Sequence, residues 1–190
     1  MPDKSGIIME AFAAIKDGET GKAKEIISNR YAFNPVTRNN GDYNEYKKIK
    51  IFMRDGFIDR YSGQKLVFPP VLRIISTLMP DEFPYHGNWK MSECHIAYWE
   101  LYPTIDHIIP LARGGSDKES NWVCTSQMRN SAKANWLLEE IEWKLFTPGL
   151  LENWDGLLNW FMEYIKDQND IIEDKYILTW YKAAKKALSE

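Results

Sequence analysis

Residues 102–136 read YPTIDHIIPLARGGSDKESNWVCTSQMRNSAKANW, and their order of apolar, turn and capping residues decides the fold. Thr104 to Ile109 is rich in β-branched residues and stops at Pro110, which has no N–H to donate to a ladder, so it reads as a strand. Arg113-Gly114-Gly115-Ser116-Asp117 is a loop. Trp122 to Thr125 is a second short strand, entered through Asn121. Ser126 is a good N-cap for a helix expected over 127–140. On that helix Asn130 and Lys133 are three residues apart and share a face. The local plan is strand, loop, strand, helix, with Asp106 and His107 on the first strand and Asn130 and Lys133 able to face them.

Asp106 offers a hard carboxylate oxygen and Asn130 a neutral amide oxygen, a pair suited to Mg²⁺ or Mn²⁺ with water and substrate oxygens completing the shell. A neutral histidine beside such an ion can take a proton from an attacking water. Successive strand residues point to opposite faces, so Asp106 and His107 reach one pocket only through local distortion or from the two sides of the strand. Asn121 is placed to hydrogen-bond the imidazole and fix its orientation.

DHIIPLARGG at 106–115, NWV at 121–123 and RNSAKANW at 129–136 together resemble the HNH nuclease motif in its His-Asn-Asn variant. The matching positions are His107, Asn121 and Asn130, preceded by the acid Asp106 and followed by Lys133. The upstream FMRDGFIDRYSGQKL at 52–66 resembles the lead-in of such proteins, where a helix ends in Arg-Asp-Gly before a zinc knuckle. With that lead-in, the resemblance covers about a third of the chain, and several spaced elements agree on one plan.

What the resemblance implies is an α+β fold, a small ββα-metal core embedded in a mostly helical envelope, and a metal-dependent DNA endonuclease. In that family His107 is the general base, Asp106 and Asn130 hold the metal, and Asn121 orients the base. Lys133 either contacts phosphate or makes a structural bond, and Arg113 and Arg129 contact flanking phosphates. The knuckle position reads Tyr61-Ser62-Gly63-Gln64, without thiolates, so no structural zinc is expected. Packing around Trp89, Trp99 and Trp122 is expected to stabilise that region instead. Asn130 in the last motif position favours Mg²⁺ (or Mn²⁺) as the working ion. The rival reading is a catalytically silent nucleic-acid-binding or regulatory module on the same scaffold. Cleavage of RNA is a third, with no discriminating feature.

Outward from this segment, helices are expected over 5–16 with Ser5 as cap, over 20–29, over 43–54 with Lys47, Lys48, Lys50 and Arg54 on it, and near 71–78. After Ala134 the periodicity predicts helices over 136–146, 150–167 and 174–188, with Trp143, Trp154, Trp160 and Trp180 in the core. Residues 34–42 read as loop. The organisation is an N-terminal helical extension (1–42), a nuclease domain (43–140) and a C-terminal helical cap (141–190).

The chain of 190 residues is 44% hydrophobic, ordinary for a globular protein, and unusually aromatic, with 8 Trp, 10 Tyr and 8 Phe. Two cysteines, Cys94 and Cys124, indicate a reducing compartment rather than a disulfide framework. No secretory leader and no membrane span are expected, and a cytoplasmic location follows. A Cys94-His95-Cys124 metal site lacks the spacing such sites have. Net charge is −3. The acidic excess lies in 145–190, five lysines against eight acids, while 44–144 balances at thirteen of each. A neutral segment still presents a basic face if its lysines cluster on folding. Cutting both strands of DNA with one site per chain calls for a homodimer or for sequential nicks.

Overall fold

A computed structural model describes residues 4–33, 43–167 and 174–190. The chain divides into two compact units, Met1–Arg38 and Asn39–Glu190. The loop expected over 34–42 lies outside the described residues.

The first unit is a helical hairpin of α1 (Ser5–Lys16) and α2 (Thr20–Arg30). Its turn uses Gly18 at φ 78°, a conformation glycine adopts without Cβ strain. Ala11, Ala14 and Ala23 are the buried residues between the helices, and Glu10 and Arg30 form an ion pair. Ser5 does not cap α1. The N-cap is Lys4, with no side-chain bond.

The second unit mixes helix and strand. Its described elements are α3 (Glu45–Arg54), α4 (Pro69–Leu78), α5 (Ala97–Glu100), β1 (Pro103–His107), β2 (Trp122–Ser126), α6 (Gln127–Lys133), α7 (Leu158–Tyr164) and α8 (Lys175–Leu188). The fold class is α+β. Asn44 caps α3 by accepting from Lys47 N at 3.0 Å. Pro69-Pro70 opens α4, where the missing N–H groups cost nothing. Asp174 caps α8 through Tyr176 N at 2.7 Å.

The sheet is one antiparallel pair, in register Thr104↔Thr125, Ile105↔Cys124, Asp106↔Val123 and His107↔Trp122. Two strands alone are marginal in water, and each exposes an unpaired edge. Side chains bond to both edges here. On the β1 edge, Asn130 Nδ2 donates to Ile105 O at 3.3 Å and Lys133 Nζ to His107 O at 2.7 Å. On the β2 edge, Cys124 N donates to Asp55 Oδ2, Ser126 N to Asp59 Oδ2, and Arg54 to Trp122 O.

The main core joins Ile49 and Phe52 of α3, Phe57, Leu66 and Phe68, Cys124, Leu158 and Phe161 of α7, and Ile177 and Trp180 of α8. Leu158, Phe161, Ile177 and Trp180, from the segment expected as a C-terminal helical cap, therefore share one core with residues of α3 and β2. A second cluster gathers Leu72, Cys94, Tyr98 and Trp99 with Phe83, Tyr85, Trp89 and Tyr102.

Three expected helices are shorter than their periodicity suggests. The helix after Ser126 ends at Lys133, and Ala134 turns to φ 44°. In 136–146 only the short 3-10 turn Leu138–Ile141 forms. The chain beyond it is drawn out along the 55–60 turn, where Phe146 N donates to Arg60 O at 2.8 Å and Gly149 N to Asp55 O at 3.0 Å. Gly56, at φ 64°, lies so close that a Cβ there would stand 2.4 Å from the Gly149 carbonyl carbon. In 150–167 the α-helix is confined to Leu158–Tyr164, because Trp154 Nε1 is held by Leu66 O at 2.7 Å. Trp180 is core, but Trp160 is 47% exposed and stacks on Tyr164.

Candidate active site on the β1–β2 hairpin

The hairpin separates Asp106 from His107, as strand alternation requires. The Asp106 carboxylate, on the side that α6 packs against, accepts from Tyr61 Oη at 2.7 Å and pairs with Lys133 Nζ at 2.8 Å through the same oxygen, Oδ2. Lys133 is fully buried. Its ammonium also caps the last carbonyl of β1 and lies 5.6 Å from the Tyr61 ring centroid. Burial, together with the neighbouring Asp106 charge, pushes the Tyr61 phenol well above its ordinary value. Lys133 is thus a structural residue. Of the two roles the resemblance left open for it, the contacts seen are the structural ones.

His107 faces another set of partners. Its Nε2 is 2.9 Å from Asp117 Oδ1, and Trp122 Nε1 and the Tyr43 hydroxyl converge on the same carboxylate oxygen. Asp117 Oδ1, which only accepts, and the Trp122 Nε1–H, which only donates and lies 3.1 Å away, both meet this one ring nitrogen. Nδ1 has no hydrogen bond among the described residues. The Tyr43 bond, and then the His107 bond, hold the Asp117 carboxyl below the usual carboxylate range. Burial and the Asp117 bond raise the Tyr43 phenol.

Asn121 does not orient the imidazole. Its Nδ2 donates to Ile109 O at 2.8 Å and Ser116 O at 2.9 Å, while Oδ1 accepts from Ile109 N at 2.9 Å. The amide is spent on the backbone of the loop, and the imidazole contact expected of Asn121 is made by Asp117. Gly115 completes the closure: a Cβ there would fall 1.8 Å from Ile109 O.

Asn130 meets the hairpin on the Asp106 side, donating from Nδ2 to Thr104 Oγ1 and Ile105 O, both at 3.3 Å. Its Oδ1, like Oδ1 of Asp106, takes no hydrogen bond from the described residues. Both are hard oxygens, the donor type a small divalent cation takes. No group of three or more His, Cys, Asp or Glu side chains among the described residues is arranged to hold a metal. Cys94 and Cys124 lie in different clusters, both as free thiols.

Arg113 is committed to Glu140 at 2.6 Å and to Asn135 O. Its guanidinium closes the loop onto the segment after α6, with 38% of the side chain exposed. Arg129 is exposed and stacks over Trp143 at 5.2 Å. The knuckle at 55–64 is held by two buried aspartates and not by Trp89, Trp99 or Trp122. Asp55 pairs with Arg54 and Arg60, and Asp59 accepts from Tyr61 N, Thr125 Oγ1 and Ser126 N. Trp89 and Trp99 pack in the second cluster, and Trp122 faces His107.

Sequence reasoning missed Asp117, Tyr43 and Tyr61. The only local signal for Asp117 is an acid in the loop joining the two strands. Tyr43 carries none, being 64 residues from His107. Compared with family models, curated proteins and solved structures, the chain has no match in any of the three. No described helix is long and apolar enough to cross a membrane.

Proposed function

We propose that the chain is a metal-dependent DNA endonuclease of the HNH type that hydrolyses phosphodiester bonds by direct attack of water. The observation that carries this reading is the 2.9 Å contact between His107 Nε2 and Asp117. A carboxylate that fixes one ring nitrogen as a donor presets the other as a general base. His107 takes the proton of the attacking water through Nδ1, and Asp117 stabilises the imidazolium that forms. Asp106 and Asn130 would hold the divalent ion, with Lys133 and Tyr61 fixing the carboxylate. Mg²⁺ or Mn²⁺ bound there supplies charge stabilisation to the phosphoryl oxygens and the leaving 3′ oxygen. Asn121 and Gly115 keep the loop that carries Asp117 in place.

The test is nicking of supercoiled plasmid with Mg²⁺, Mn²⁺ or EDTA, wild type against His107→Ala. Metal-dependent nicking that is lost in the variant supports the reading, and nicking that survives His107→Ala overturns the assignment of the base. Matched RNA substrates report whether DNA is preferred. One observation favours the silent binding module: the Lys133 ammonium already neutralises Asp106. Wild-type protein that binds DNA but nicks with no metal would establish that second reading.

A further inference from the structure

We infer that the outward faces of α3 and α8 form one basic track that binds the phosphate backbone of duplex nucleic acid and leads it to His107. The inference deepens the nuclease reading and rests on it for the destination of the duplex.

Although 145–190 is acidic in total, α8 carries Lys175, Lys182, Lys185 and Lys186 and no acid between Lys175 and Leu188. Ile177, Trp180 and Ala184 form its buried stripe. Lys175, Lys182 and Lys186, spaced by seven and four residues, form the stripe directly opposite, and all are exposed. At 1.5 Å per residue this stripe is about 16 Å long, roughly five base-pair steps of a duplex. On α3, Lys47 and Lys50 share a face at a spacing of three.

The helices pack together, and Tyr46 joins their charges. Lys186 Nζ lies 4.0 Å from the Tyr46 ring centroid and Lys50 Nζ 5.5 Å from the same ring. Two ammonium groups from different helices meet over one ring, with Glu190 as the acid between them, 3.0 Å from Lys50. Glu45 is taken by Lys48 at 3.7 Å. Lys47 and Lys182 have no ion pair among the described residues and Lys186 shares Glu190 with Lys50, so positive charge outweighs negative along the ridge. Such a field attracts a polyanion and releases its counterions on binding. Tyr43, two residues before α3, is 3.4 Å from His107 Nε2. Lys47 lies four residues on, in the first turn of α3, so that end of the track is joined through Tyr43 to the imidazole.

The experiment is fluorescence anisotropy of a labelled 25-base-pair duplex with the full chain in EDTA, as a function of salt. It compares the triple variant Lys47→Gln/Lys182→Gln/Lys186→Gln with the control Lys16→Gln/Lys24→Gln/Lys144→Gln, whose lysines are exposed elsewhere. Melting curves verify that both fold. The expected result is affinity at least tenfold lower for the first variant and a log–log salt slope shallower by about 3, near 0.9 per lysine removed, with the control unchanged. Equal loss in both variants, no loss in the first, or binding to anionic vesicles in place of the duplex overturns the track. Salt-sensitive duplex binding by a wild type that never nicks plasmid sinks the nuclease reading and leaves the track standing. Nicking indifferent to the three lysines does the reverse.

Discussion

The Lys133 ammonium stands 2.8 Å from the Asp106 carboxylate with no exposure to solvent. A charge so placed is tolerated only when paired and hydrogen-bonded, and this one has both a carboxylate and the His107 carbonyl. The pair ties α6 to β1 through Asp106 Oδ2 and leaves Oδ1 as the candidate metal-binding oxygen.

Breaking that pair from either side leaves a buried charge without its counter-charge. Lys133→Met is expected to lower stability by about 3–5 kcal/mol. In the double variant with Asp106→Asn, the loss falls short of the sum by about 1–3 kcal/mol. Urea denaturation measures all three. An additive cycle would show that the ammonium does not serve the carboxylate.

Asp59 has no counter-ion among the described residues, and it satisfies two buried backbone N–H groups and the Thr125 hydroxyl. Asp59→Ala strands these donors and is expected to cost about 3–5 kcal/mol, at roughly 1–3 kcal/mol for each group left unpaired. The same change is expected to loosen the β2 edge, read as faster amide exchange at Ser126. Protection at Ser126 equal to that of wild type would contradict this.

The Asp117 carboxyl is held below its ordinary range, so its contribution to stability is present above the unfolded value of about 3.9 and is lost as pH falls through the lower folded value. The Tm difference between wild type and Asp117→Asn is therefore expected to be constant above about pH 5 and to shrink as the solution is acidified below about pH 4. Tyr43→Phe removes the largest cause of the shift and moves the carboxyl back up in an NMR titration. If the nuclease reading holds, Asp117→Asn also lowers kcat by tenfold or more, through the misplaced imidazole.

Asn121 closes its loop with three hydrogen bonds. Asn121→Ala is expected to cost about 3 kcal/mol, roughly 1 kcal/mol for each bond, and to open residues 108–118 to limited proteolysis. A variant as protease-resistant as wild type would show that Gly115 and the backbone suffice to hold the loop.

The strand–loop–strand–helix order was legible because each part is marked locally. Pro110 ends one strand, Ser126 caps α6 through Arg129 N at 3.2 Å, and Thr104 and Asp106 alternate with Ile105 and His107. The partner of the imidazole was not legible. Asn121 has suitable chemistry, but the loop's closure consumes its amide and turns Asp117 toward Nε2. The helix expected over 136–146 failed for a similar reason. Its periodicity is real, yet Arg60 and the Gly56–Gly149 approach hold the chain extended.

The sequence by itself determined the hairpin, the cap of α6 and the opposite facing of Asp106 and His107, since backbone periodicity and capping depend on neighbours a few residues away. Only the tertiary structure decided that Lys133 is buried and that Asp117 and Tyr43 surround the imidazole. It also decided that lysines of α3 and α8, more than a hundred residues apart, meet over Tyr46. Charge, burial and hydrogen bonding at those positions are properties of which distant segments touch, and no local pattern encodes that.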